Sequence, residues 1–462
     1  MAPSTPPVIF VFAGQGPQHI SMGERLFHGY HTFRQTVLEM DAIYQSLVGV
    51  SLVESTGLFH GSASKIPEGI WSVEILLPAM TIVQIALYDL LISIGVKPHA
   101  LIGHSAGETP LVYASGAGSK AMALEIAIAR ARSMKLAESL ENGMAALGCG
   151  LKTAIGLIEQ AKRKRDGVLE IGAINSPSAV LVSGDRILLD HLVDAAKTEG
   201  IFAQRVQSLV PSHSTLMEPC RKQYLEGVST VFSRHGGLHR PIIKTYSTVA
   251  GQPRITTRFT PEYFWDNLRN PVHFHQGITS VLDDFPNAVF VEISPHPALS
   301  SYLASSVGHN RVLCPMRRPK IPSDTDAEAL SFTRTIGDLL VLGVNQIDLT
   351  SLYGRPARNT AYDIPYPFTE RHVPVRIGGP RLRSGAPRDG STLHLQINAR
   401  THPDLAQHVI NGEPIMPAAG LLDMVRGVDS RPLCISKVSD IRDVPLISPR
   451  RSCKWVRVQC GT

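Results

Sequence analysis

The residues best suited to covalent chemistry begin at Gly103-His104-Ser105-Ala106-Gly107, a G-x-S-x-G string. A serine hydroxyl is a weak nucleophile at neutral pH. It needs exposure, a base to take its proton, and donors for the charge that develops on the attacked carbonyl. The string can supply the first and the last. Its glycines let the chain reverse sharply between a strand and a helix, which lifts Oγ into a cleft and turns the helix's first N–H groups toward an anion. The flanks fit: 98–103 (PHALIG) reads as a short strand, and a helix is expected over roughly 106–114. A structural turn can carry the same string, so its neighbours must decide. With 18 histidines in the chain, residue type alone selects no base. His213, in Val210-Pro211-Ser212-His213-Ser214, stands out by position, where a small subdomain should hand the chain back to a large one.

The elements that must hold these residues follow from pattern. The apolar run 8–13 closes on Gly14-Gln15-Gly16 and reads as a buried parallel strand ending in a tight turn. Helices are expected over 76–94 and 122–140. From 144 to 207 the texture changes, with strands at 144–148, 169–175, 179–184 and 202–207 and helices at 152–164 and 186–199. That order is βαββαβ, the ferredoxin-like pattern, inserted into a larger α/β body that resumes with strands at 243–249 and 288–294. A helix near 327–343 follows, then Pro- and Arg-rich chain to about 390, then a strand in STLHLQI.

Composition narrows the classes. At 462 residues, 43% hydrophobic and 18% charged, the chain can bury more than one core. Its six cysteines form no CxxC pair and no His/Cys cluster with zinc spacing, so no metal site is expected and reduced thiols in the cytoplasm are. The N-terminus lacks a basic region ahead of its apolar run, so no signal peptide is read. The apolar stretch 75–95 is interrupted by Pro78, Gln84, Tyr88 and Asp89 and suits a buried helix, not a membrane span. A net charge of +6 comes with no nucleic-acid-binding module. The late arginines, Arg371 to Arg388, read as a solvated linker, with weak attraction for an acidic carrier or coenzyme A as the alternative.

Eight stretches then fall in one order: FVFAGQGPQ (10–18), GHSAGE (103–108), IARARSM (128–134), GMAALG (143–148), INSPSAVLVSG (174–184), PSHSTLME (211–218), WDNLRNPVHF (265–274) and VEISPHPAL (291–299). Together they resemble the acyltransferase domain of polyketide and fatty acid synthases, the malonyl-CoA:acyl carrier protein transacylase type, in a fungal reducing polyketide synthase. The resemblance implies an α/β fold with an α/β-hydrolase-like large subdomain (1–140 and 208–305) and a ferredoxin-like small subdomain (141–207). It implies Ser105 as nucleophile, His213 as base and then acid, and the backbone N–H groups of Gln15 and Ala106 as the oxyanion hole. Arg130, which on helical pattern alone reads as a surface arginine, would bind the free carboxylate of the acyl group. His104 and Asn175 would line the site, with structural hydrogen bonding as the equal alternative. The base would be oriented by a backbone carbonyl, placed at His273, and not by an aspartate. Ser212, small and next to the base, leaves room for an α-methyl group, so methylmalonyl stays open beside the malonyl group expected of such synthases. No cofactor is bound in this reading. The substrate is a coenzyme A thioester, the phosphopantetheine belongs to a partner acyl carrier protein, and ketosynthase and other synthase domains are further partners; nucleic acid and membrane are not.

The sequence departs from the family at Glu108-Thr109-Pro110, where aromatic and small residues are more usual, and no loss of chemistry is expected. Residues 306–390 resemble the linker that follows such domains, and 391–462 a truncated dehydratase hot-dog segment in which His408, Gly412 and Pro417 fit HxxxGxxxxP. Without its distant aspartate, His408 is expected to be a relic, with no dehydratase activity. Two rivals stand beside the transferase: a serine hydrolase or thioesterase with the same elbow, which would want an acidic residue behind the base, and a non-catalytic synthase fragment.

Overall fold

The strand VIFVF at residues 8–12 shows no polar alternation and is buried at every position, as befits a strand covered on both faces. In this computed structural model, residues 5–353 are described except for 62–65, 67–70, 209, 250–253, 322–323, 325 and 345, together with strand segments at 393–396, 409–410, 413–414 and 455–458. Among the described residues of the first part, nine strands run: β1 Val8–Phe12, β2 Ala100–Gly103, β3 Asn142–Leu147, β4 Leu169–Ser176, β5 Ala179–Asp185, β6 Ala203–Val206, β7 Lys244–Tyr246, β8 Val289–Ile293 and β9 Val312–Leu313. Five of them form one parallel sheet in the order β7-β2-β1-β8-β9.

The helix Val73–Ser93 packs on one face of this sheet and Phe274–Asp284 on the other. The first is long and apolar enough to cross a membrane, with mean hydropathy 2.0, yet 83% of that apolar window is buried inside the protein. Its Gln84 is also tied to the sheet, donating from Nε2 to the carbonyls of Ala13 (2.7 Å) and Ile293 (3.0 Å) just past β1 and at the end of β8. An amide buried between strands is stable only when so satisfied.

The remaining four strands form an antiparallel sheet, β4-β5-β3-β6, with the helices Leu151–Lys162 and Arg186–Thr198 packed on it through an all-apolar core of Ala, Leu, Ile, Val and Cys149. This is the ferredoxin-like subdomain. A short bridge joins it to the large one: Ile174 N–H donates to Val272 O (2.8 Å) and Val272 N–H to Gly172 O (2.9 Å).

Three elements differ from expectation. The helix expected over 106–114 is a 3₁₀ turn, Ser105–Glu108, and then the short helix Leu111–Ala114, because Pro110 has no N–H to continue a ladder. The helix expected over 122–140 is Lys120–Met134 with a 3₁₀ turn after it. Packing also continues past residue 306: β9 edges the parallel sheet, and Met316, Phe332, Ile336 and Leu339 are buried in the main core. Glu328, on the helix Ala327–Val341, accepts the backbone N–H groups of Gly23 (2.6 Å), Arg25 (2.8 Å) and Leu26 (3.2 Å). Burial raises its pKa to about 7 against these bonds.

The chain divides into two compact units, Met1–Ala361 and Tyr362–Thr462. In the second, the expected strand appears as Leu393–Gln396, paired antiparallel with Trp455–Val458, and Val409–Ile410 pairs with Glu413–Pro414. The dehydratase reading of His408, Gly412 and Pro417 lies outside the described residues.

Candidate active site

β2 ends at Gly103 and the chain turns at once. Ser105 sits at φ +54°, in the left-handed region that a side chain occupies at a cost of about 1–3 kcal/mol. The turn is pressed against the end of β1: a Cβ on Gly107 would lie 2.1 Å from Phe12 O, and one on Gly14 2.8 Å from His104 O and 3.2 Å from Ser105 Cβ. Only glycine permits that approach. From below, Glu108 anchors the elbow. Fully buried, it accepts from Thr248 N–H (3.0 Å) and from the Tyr263 hydroxyl, while the Thr248 hydroxyl bridges Glu108 and Gly103 O. Burial raises the Glu108 pKa to about 7.

His213 reaches the serine: its Nε2 lies 2.7 Å from Ser105 Oγ. Its Nδ1 lies 2.9 Å from the carbonyl oxygen of Asn270. A carbonyl can only accept, so Nδ1 carries the proton and Nε2 is free to accept from Oγ. Burial above all, and then the positive charge of Arg130, push the His213 pKa down to about 3. The ring is therefore neutral at working pH. The orienting carbonyl is thus not that of His273, where the sequence placed it. Asn270 ends the helix Pro261–Arg269 in an extended conformation (φ −91°, ψ 159°), the geometry imposed on a residue before proline, and this swings its carbonyl out of the helix. His273, half-buried, instead donates its N–H to Thr248 O (2.7 Å).

Arg130 is 1% exposed, which removes the surface reading. Asn267 Oδ1 accepts from its Nη1, and the Tyr224 phenol lies beside it. Its Nε is buried with no hydrogen-bond partner. A buried guanidinium with spare donors is costly unless something acidic fills the space. That space is a cavity lined by Gly14, Gln15, Leu77, Met80, Ala106 and Arg130, among others. Gln15 and Ala106 thus face the same cavity as the arginine.

His104 Nε2 pairs with Asn175 Oδ1 (2.8 Å), and its ring meets Phe274 edge-on at 5.3 Å. Asn175 is the side chain that the small subdomain brings in. Ser212 is buried, and its carbonyl accepts from Ser183 Oγ (2.6 Å). Sequence reasoning missed Glu108, Thr248, Tyr263, Asn267 and Asn270. For Asn270 a signal existed: Asn-Pro marks a chain break, and a break frees a carbonyl. Among the described residues, no group of three or more His, Cys, Asp or Glu side chains is placed to hold a metal ion.

A strained serine at the end of a parallel strand, paired with a neutral histidine beside a buried arginine, is the arrangement of a serine-dependent acyl-transfer enzyme. Residues 9–342 match the family model for the acyl transferase domain, and the chain belongs to that family. Highly reducing polyketide synthase stpks1 of Strobilurus tenacellus is 41% identical over 435 residues, which are 91% of this chain and 15% of that protein. The chain therefore spans about one seventh of that relative's length. Among solved structures, the acyltransferase domain from module 8 of the salinomycin polyketide synthase superposes with a TM-score of 0.64 at 27% identity, covering 74% of this chain and 77% of that one. The acyltransferase domain of SpnD, in complex with 2-(pent-4-yn-1-yl)malonyl, gives 0.63 at 25% identity, covering 74% and 78%.

Proposed function

We propose that this chain loads a malonyl-type group from its coenzyme A thioester onto the phosphopantetheine thiol of an acyl carrier protein during polyketide synthesis. The observation that carries the proposal is the 2.7 Å contact between Ser105 Oγ and a histidine kept neutral by burial. Ser105 gives its proton to His213 Nε2 as Oγ bonds to the thioester carbon. The N–H groups of Gln15 and Ala106 hold the resulting oxyanion; such a donor contributes about 3 kcal/mol where charge develops. The C–S bond breaks, coenzyme A takes the proton from His213, and an ester remains on Ser105 with its free carboxylate toward Arg130. The carrier thiol then loses its proton to His213 and attacks the ester, and Ser105 Oγ leaves with that proton. Nδ1–H stays on Asn270 O throughout and fixes the ring.

The hydrolase reading is disfavoured, because the ring's far side meets a carbonyl and not the carboxylate that reading requires. Ser212, buried and directly before the base in the chain, is small, which supports acceptance of an α-substituted malonyl group. Cys149, Cys220 and Cys314, free and buried, fit a reducing cytoplasmic setting. The relative's identity supports a carrier domain and a ketosynthase as working partners.

Intact-mass spectrometry after exposure to a panel of acyl-coenzyme A thioesters tests the proposal. A malonyl adduct is expected on the unsubstituted chain and none on Ser105→Ala, with transfer to a carrier protein on its addition. Free malonate with no transfer would favour the hydrolase. Absence of an adduct from every thioester would sink the enzymatic reading.

A further inference from the structure

The cavity beside Ser105 holds few polar groups, and most are already committed. Thr81 Oγ donates to Leu77 O (2.9 Å), and Gln84 is spent on two strand-end carbonyls. Leu77 and Met80 supply apolar wall. Among the buried polar atoms of the lining residues, two have no hydrogen-bond partner: Arg130 Nε and Thr109 Oγ1. Thr109 is 2% exposed, so bulk water does not solvate its hydroxyl. Its backbone is fixed by the 3₁₀ turn of the elbow, where its N–H donates to Ala106 O (3.1 Å), and by Pro110 behind it. A buried hydroxyl left unpaired costs free energy that a bound group could recover. One orphaned donor is an accident of packing; two on residues that line one cavity suit a ligand with two acceptor oxygens.

We propose that Thr109 is a substrate-binding residue, whose hydroxyl donates to one oxygen of the acyl group's free carboxylate while Arg130 Nε donates to the other. The assignment rests on the acyl-loading reading above and adds a specificity determinant to it. An acetyl group would leave both donors unpaired in a closed site, so the hydroxyl sharpens discrimination against acyl groups without a carboxylate. A carboxylate accepts only, and the threonine proton has no competing acceptor.

The test replaces the hydroxyl by a methyl of the same shape. Thr109→Val and Thr109→Ser are compared with the unsubstituted chain for kcat/KM of ester formation on Ser105, with malonyl- and acetyl-coenzyme A, read by intact mass. The malonyl-to-acetyl ratio is expected to fall about tenfold in Thr109→Val and to recover in Thr109→Ser, the size of one hydrogen bond to a charged group. Should the valine variant fail to fold, Thr109→Ala carries the same expectation. An unchanged ratio, whether both rates hold or fall in step, overturns the assignment and leaves a purely structural hydroxyl. No malonyl ester on the unsubstituted chain would bring down the loading reading itself, and this one with it.

Discussion

The two subdomains bury very different things. The ferredoxin-like core is built of apolar side chains, Cys149 among them, and two neutral side chains tie its strands to the site: Asn175 to His104 and Ser183 to the Ser212 carbonyl. The large subdomain buries an arginine, a histidine and a glutamate within one neighbourhood, each at 3% exposure or less. Burying ionisable groups is expensive, so their concentration around one serine marks groups held ready for a reaction. The lesson is a division of labour: the large subdomain carries the groups that move protons and bind charge, and the small one walls the cleft and steadies backbone.

If that division is right, the largest losses should come from the large subdomain. His213→Gln removes the base and should slow ester formation by about 10²–10⁴-fold, measured by single-turnover loading. Arg130→Met should come next, lowering the malonyl-to-acetyl ratio roughly a hundredfold, the size of one strong hydrogen bond between charged groups. It carries a second signature. Burial and Arg130 hold the His213 pKa at about 3, below the usual 6.5, so the acid limb of kcat/KM for the unsubstituted chain should lie well below pH 6.5. Removing the positive neighbour lets the pKa rise, and the limb should move to higher pH. The same shift sets the sign for stability. Between pH 6.5 and about 3 the unfolded chain binds a proton here that the folded chain refuses, so this contribution is full above pH 6.5 and declines as pH falls. Smallest should be Ser183→Ala in the small subdomain, which frees the Ser212 carbonyl and should cost about threefold in loading rate. A larger effect from Ser183 than from Arg130 would break the comparison.

Much of this was legible in sequence. The G-x-S-x-G string, its strand and the βαββαβ order all show in residue pattern, and Ser105 and His213 meet as the family resemblance implied. What stayed hidden depends on geometry that pattern does not encode. The helix Lys120–Met134 is buried on so many sides that its one inward arginine leaves no polar stripe to contrast with. The orienting carbonyl was misplaced by three residues, since a main-chain oxygen leaves no trace in residue type and its direction is set by how one helix ends. The sequence predicts one helix over roughly 106–114, with Pro110 inside it, where the elbow has a 3₁₀ turn. The proline's position after Glu108 instead splits the element in two.

The Glu328 contacts bear on how such chains can be cut and recombined. This carboxylate fastens the segment around Gly23 from 305 positions away, adding a polar tie to the apolar packing that joins the two ends of the body. A crossover drawn where recognisable motifs stop, near residue 300, would graft the reactive cleft but leave that tie behind. The natural seam lies beyond Val341.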